Sequence, residues 1–296
     1  MNLYTHKDAN IRKTWLLMTV FLILVVFLGW LFGLALNNTY IIYGAVIFSF
    51  LMNGIAFWHS DKIALAMSGA KPVKKEENAY LYRIVENLCI TAGLPMPRIY
   101  IIQSGQINAF ATGRNPKHAA IAVTTGAIEK LQNEELEGVL AHELSHIGNR
   151  DILVSSVAVV LAGLIAILAD WFLRIQFWGG DDRDSRAGAV VLALAIVAAV
   201  LAPLAASLIQ LAISRKREYL ADASGALLTR YPEGLANALE KIGHDETQMR
   251  HAHNSTAHLF ISNPFKGKAG RNWFSKLFMT HPPLEDRIRI LRDMRL

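Results

Sequence analysis

Cysteine is almost missing from this chain: Cys89 stands alone among 296 residues, which excludes an internal disulfide framework and a CxxC metal site and fits a domain kept in a reducing compartment. A lone cysteine of this kind reads as a small buried hydrophobe. Charge is also scarce. At 18% charged and 53% hydrophobic, the chain is too apolar for an ordinary soluble protein and too charged to lie in lipid throughout. A mixed protein follows. The net charge is +6, yet no basic helix or aromatic RNA-binding motif accompanies it. Nucleic acid is therefore not expected as a partner, and anionic lipid headgroups are.

The apolar residues are concentrated in long runs. Lys7, Arg12 and Lys13 precede an uncharged run from Trp15 to Leu36, about the length a helix needs to cross a hydrocarbon core. It is longer than a secretory signal core and no small-residue cleavage site follows, so it reads as a retained anchor. After Asn37-Asn38-Thr39 a second run extends from Tyr40 to Phe57, and the two predict a transmembrane hairpin. Basic residues flank the pair (Lys62, Lys71, Lys74 and Lys75 on the far side) with none between, which puts both flanks in the cytoplasm. Two more runs, Ile152 to Leu173, broken only by Asp170, and Ala187 to Ile213, are long enough to form a second transmembrane pair; the alternative is a hydrophobic hairpin buried in protein or dipping into one leaflet.

From Glu76 the composition turns globular. A helix is predicted around Tyr80 to Leu88, stopping at Gly93-Leu94-Pro95. Three β-rich pieces follow: Arg98 to Ile102, Ile107 to Thr112 and Ala119 to Val123. An exposed edge strand can hold an extended peptide by main-chain hydrogen bonds. The piece containing Asn108, Ala109, Phe110 and Ala111 is the candidate substrate strand, the alternative being an internal strand of a small sheet.

Between the second and third runs stands His142-Glu143-Leu144-Ser145-His146, an HExxH pattern. The surrounding residues predict a helix with Asn133 as N-cap, Glu134 and Glu135 at the positive end of its dipole, and Gly148 as a left-handed C-cap. Leu136, Leu140, Leu144 and Ile147 would form its buried stripe. His142 and His146 are one turn apart on one face and can close on one ion. A catalytic zinc keeps one position for water, which a carboxylate at Glu143 can deprotonate. HExxH supplies only two ligands, so a third is needed from elsewhere. Glu218 and Asp222, spaced i and i+4 directly after the fourth run, are the candidates: one carboxylate can reach the ion while the other orients a ligand imidazole.

Pro232 to His244 and Pro283 to Leu296 read as amphipathic helices with proline near the start. His244, His251, His253 and His258 fall in a polar stretch without ligand spacing and read as solvated loop. Phe265, Trp273, Phe274, Leu277 and Phe278 alternate with basic residues, as in a segment lying on headgroups or, alternatively, one packed against the domain.

Four ordered blocks carry a resemblance over nearly the whole chain: Asn108 to Gly113, His142 to Asp151, Arg215 to Ala226, and Thr280-His281-Pro282-Pro283 with Glu285 to Ile288. Together they resemble the HtpX family of bacterial inner-membrane zinc metalloproteases, which is related to the CAAX prenyl endoproteases. The resemblance implies one Zn²⁺ per chain held by His142, His146 and Glu218. It implies Glu143 as general base, Asp222 supporting the site, and His281 as a group that helps stabilise the oxyanion. It also implies quality-control proteolysis of misfolded or damaged membrane proteins, with the catalytic domain and both termini cytoplasmic. The expected fold is a mostly α integral membrane protein with four transmembrane helices and a zincin-like α+β catalytic domain carrying a small sheet. Its expected divisions are a transmembrane hairpin (1–60), a first catalytic part (61–151), a second transmembrane pair (152–213) and a second catalytic part (214–296). Alternatives are a prenyl-protein endoprotease, which would need a lipidated cysteine in its substrate, and a catalytically silent membrane chaperone or adaptor.

Overall fold

The structure is a computed structural model, and the residues it describes are 3–35, 37–178, 214–249, 253, 255–265 and 282–295. Two long helices form the N-terminal hairpin, α1 (Leu3–Ala35) and α2 (Tyr40–Met67). Strand β1 (Ala70–Pro72), helix α3 (Ala79–Ala92) and strands β2 (Arg98–Ile102), β3 (Ala109–Gly113) and β4 (Ala119–Thr124) come next. Helices α4 (Thr125–Lys130), α5 (Asn133–Gly148) and α6 (Asp151–Trp178) follow. After residues 179–213 the chain continues as α7 (Arg215–Thr229) and α8 (Pro232–His244), and α9 (Leu284–Arg292) lies close to the C-terminus.

Three helices among the described residues are long and apolar enough to cross a membrane, over Asp8–Leu34, Tyr40–Met67 and Asp151–Leu168. The fourth expected run lies outside the described residues. On α1 and α2, Ile23, Phe27, Trp30, Tyr43, Ile47 and Phe50 are exposed, a surface of large apolar side chains that suits lipid rather than water. Their inner sides meet α6 in a shared core containing Leu17, Phe21, Val25, Ala56, Val157 and Leu161. Helix α2 does not stop with its apolar run at Phe57. It continues through Asp61 and Lys62 to Met67 and so reaches the sheet.

The three expected strands form, and a fourth joins them. The sheet order is β1-β2-β4-β3, with β1 and β2 antiparallel, β2 and β4 parallel, and β3 and β4 antiparallel. Alternation along the strands sends Ile99, Ala109, Ala111, Ile121 and Val123 into the main core with α3, α5 and α8. The opposite face, with Ile102, Phe110, Ala120 and Ala122, packs on Ala64 and Leu65 at the end of α2. A sheet buried on both faces needs near-continuous apolar strands, which explains the composition of β4. Thus the sheet is wedged between the membrane hairpin and the helix that bears HExxH.

Candidate metal centre

Helix α5 starts one residue earlier in its cap than expected. Gln132 is the N-cap, and its backbone N–H donates to the Glu135 carboxylate at 2.7 Å, so Glu135 acts at the dipole's positive end as its position required. Glu135 also binds Lys241 of α8 at 2.7 Å. Leu136, Leu140, Leu144 and Ile147 are fully buried, as their spacing predicts. The left-handed C-cap at Gly148 is a correction: Gly148 is still helical, and Arg150, with φ 59°, takes that conformation after Asn149. This turn sends the chain directly into α6, and Asp151 begins it.

Helix α7 crosses α5 closely enough that a β-carbon at Gly225 would lie 3.0 Å from the His142 backbone nitrogen. Helix α8 does the same further along, where a β-carbon at Gly138 would lie 2.7 Å from the Leu235 nitrogen. These approaches bring a carboxylate from α7 to the histidines of α5. His142, His146 and Glu218 have ligand atoms within 4.8 Å of one another. The Nε2 atoms of the two histidines are 3.2 Å apart. The Glu218 oxygens stand 3.7 Å from Nε2 of His146 and 3.9 Å from Nε2 of His142.

The other ring nitrogens face carboxylates. Nδ1 of His142 lies 2.9 Å from Oδ1 of Asp222, and Nδ1 of His146 lies 3.0 Å from Oδ2 of Asp151. A carboxylate favours the proton on Nδ1, which leaves each Nε2 as a lone pair. Two nitrogen lone pairs and a carboxylate then converge on one small space, a donor set that fits a divalent cation. The surrounding carboxylates also favour positive charge at this point, whether a proton or a metal cation carries it. Burial works against charge on His146, but the Asp151 hydrogen bond and the charges of Glu218, Asp151 and Glu143 outweigh it and push the imidazole up to about 9. Burial alone would raise the Asp222 carboxyl, whereas the Arg287 guanidinium and His142 hold it down to about 2.

Glu143 points into the same cavity, together with Ala111, Ile152, Ser155 and His258. It is 2% exposed. Burial raises its carboxyl above the ordinary range, against the opposing pull of His142, His146 and a hydrogen bond from the Ala111 backbone. A carboxylate whose proton affinity is raised in this way is a better base for a water beside it.

Strand β3 is an edge of the sheet, but much of its outer side is already engaged. Ala109 accepts a hydrogen bond from the Ile261 backbone at 3.0 Å, and Gly113 donates to the Ser156 hydroxyl at 3.2 Å. The Asn108 side chain donates to Gln106 and to the Ser262 carbonyl, each at 3.0 Å. Phe110 packs edge-on against Phe260. Of the expected substrate strand, Ala111 reaches the metal cavity, while Asn108 and Phe110 hold the 260–262 segment in place. His281 lies outside the described residues.

Several residues of the site escaped the sequence. Arg287 of α9 is completely buried and grips Asp222 through both oxygens, at 2.8 and 2.7 Å. Asp151, the first residue of α6, also orients His146. His258, expected in a solvated loop, is buried, with Nε2 3.3 Å from the Ser155 carbonyl. Its one available signal was the apolar Leu259-Phe260-Ile261 directly after it. His244 is exposed, as expected.

The model of peptidase family M48 matches residues 75–295. A protease HtpX homologue of Thermoanaerobacter pseudethanolicus is 46% identical over 99% of this chain and 98% of its own length. One from Thermococcus kodakarensis is 47% identical over 95% of each chain. Among solved structures, the crystal structure of S. mikatae Ste24p aligns with a TM-score of 0.49 at 19% identity, over 86% of this chain and 59% of that one.

Proposed function

The chain belongs to peptidase family M48, among its HtpX proteases, and from that premise we propose that it is a zinc-dependent endopeptidase that cleaves misfolded or damaged membrane proteins on the cytoplasmic side of a bacterial inner membrane. The observation that carries this reading is the convergence of His142, His146 and Glu218 on one space with Glu143 beside it, at the point where α5 turns into a membrane-type helix.

Zinc fits the two imidazoles and one carboxylate, and when bound it supplies Lewis acidity and a lowered pKa for water. Glu143 is placed to take a proton from the attacking water and pass it to the leaving amine. Asp222 and Asp151 hold the two imidazoles with Nε2 turned inward, and Arg287 holds Asp222. An extended peptide passing beside Ala111 would bring its carbonyl into the cavity, with little main-chain pairing along β3, because Ala109, Ala111 and Gly113 already bond Ile261, Glu143 and Ser156. Ile261, already bonded to Ala109, bounds that path on one side. His281 is assigned to the developing oxyanion from its motif.

The test is metal removal from the purified full chain in detergent, with cleavage of an unfolded protein as readout. Chelation is expected to abolish cleavage and about one equivalent of zinc to restore it. Cleavage that persists without metal would sink the reading.

A further inference from the structure

Asn10 belongs to the first membrane helix, far in sequence from every ligand, yet it is 3% exposed and packed against the metal site. Its Nδ2 donates to Oδ1 of Asp151 at 2.7 Å and to the Asn149 carbonyl at 3.2 Å. Its Oδ1 accepts from Nη1 of Arg217 at 3.2 Å. Asp151 uses its other oxygen on Nδ1 of His146, and Arg217 directly precedes Glu218 in α7. One amide therefore touches both the carboxylate that orients a histidine ligand and the residue next to the carboxylate ligand.

The chemistry explains why a polar side chain sits there. Burying an amide without partners is costly, and here both ends of the amide are bonded. A carboxylate bound on one oxygen only can rotate about its Cβ–Cγ bond. With Oδ1 held by Asn10, the plane of Asp151 is fixed and the His146 ring with it. Arg217 reaches the same oxygen only at 3.5 Å, too long to do this alone.

We propose that Asn10 is a positioning residue for the metal, so that the first membrane helix completes the metal centre through Asp151 and His146. This rests on the metal reading above. It goes further in making metal affinity depend on the seating of α1 against the catalytic part.

The test measures zinc affinity of the full chain in detergent by competition with a chromogenic chelator. Asn10→Ala is expected to weaken zinc about tenfold and Asp151→Ala about 10–100-fold. The double variant is expected to be no weaker than Asp151→Ala, because Asn10 acts through that carboxylate. Asn10→Asp keeps the shape and the acceptor for Arg217 but turns a carboxylate towards Asp151, and it is expected to lose at least as much as Asn10→Ala. Asn53→Ala is the control. Its amide ties α2 to the Met18 carbonyl of α1 at 3.1 Å without touching the site, and zinc affinity is expected to stay at the wild-type value. The visible spectrum of the cobalt-loaded protein is expected to shift in the Asn10 variants and not in Asn53→Ala. Wild-type affinity in both Asn10 variants, additive losses in the double variant, or an equal loss in Asn53→Ala would each overturn the inference. Absence of zinc from the wild type would overturn the metal reading itself and is recognisable as such.

Discussion

At the scale of single residues, the site is two imidazoles, each backed by a carboxylate, and one of those carboxylates is itself held by a buried guanidinium. Asp222 and Arg287 are 1% and 0% exposed at the side chain. A buried pair of this kind adds little over an apolar substitute, but removing one member strands the other's charge at about 3–5 kcal/mol. We expect Arg287→Leu to lower the thermal midpoint sharply and to loosen His142 with it. Asp222→Ala is expected to cost about 10–100-fold in metal affinity or activity, whereas Glu218→Ala is expected to remove the proposed third ligand and with it most of the metal. Equilibrium zinc measurements on the three variants check the order. If Glu218→Ala keeps its metal while Asp222→Ala loses it, the assignment of the two carboxylates is reversed.

At the scale of elements, the ligands meet because α7 can lie against α5 at Gly225. A larger side chain there must push the helices apart or move the His142 backbone. Overpacking of this kind costs about 1–3 kcal/mol. Gly225→Val is therefore expected to lower both thermal stability and metal affinity, although it touches no ligand atom; unchanged affinity would show that the α5–α7 spacing does not set the site. The elements themselves were largely legible. HExxH spacing, the Leu136 to Ile147 stripe and Pro232 at the start of α8 depend on local periodicity, which a sequence displays. Strand β1 was not legible, because Ala70-Lys71-Pro72 carries no alternation and forms only by pairing with β2. Arg287 was hidden for a related reason. A charged residue in a short helix with charges on several sides reads as surface, and only the presence of Asp222 opposite makes its burial tolerable. Asn10 gave no signal, since its partners are more than a hundred residues away.

At the scale of the whole molecule, the catalytic part is joined to membrane-type helices at several points. The α2 helix ends on the sheet, α5 runs into α6 after a two-residue turn, and α1 reaches the metal-site network through Asn10. On the proposed membrane reading the cavity lies near the bilayer surface, where a substrate confined to the same membrane gains effective concentration without any added contact. A disordered segment tethered to a transmembrane helix is expected to be cut faster in proteoliposomes than the same segment free in solution at equal total concentration. Equal rates would remove the argument that the site is placed for membrane proteins. The central claim, a metal held by His142, His146 and Glu218 with Glu143 as the base, is tested most directly by measuring bound zinc and proteolysis on one sample each of wild type and Glu143→Gln. The account predicts about one zinc per chain in both, with cleavage in the wild type and none in the variant. Undiminished cleavage by Glu143→Gln, or a wild type that cleaves without zinc, would contradict it.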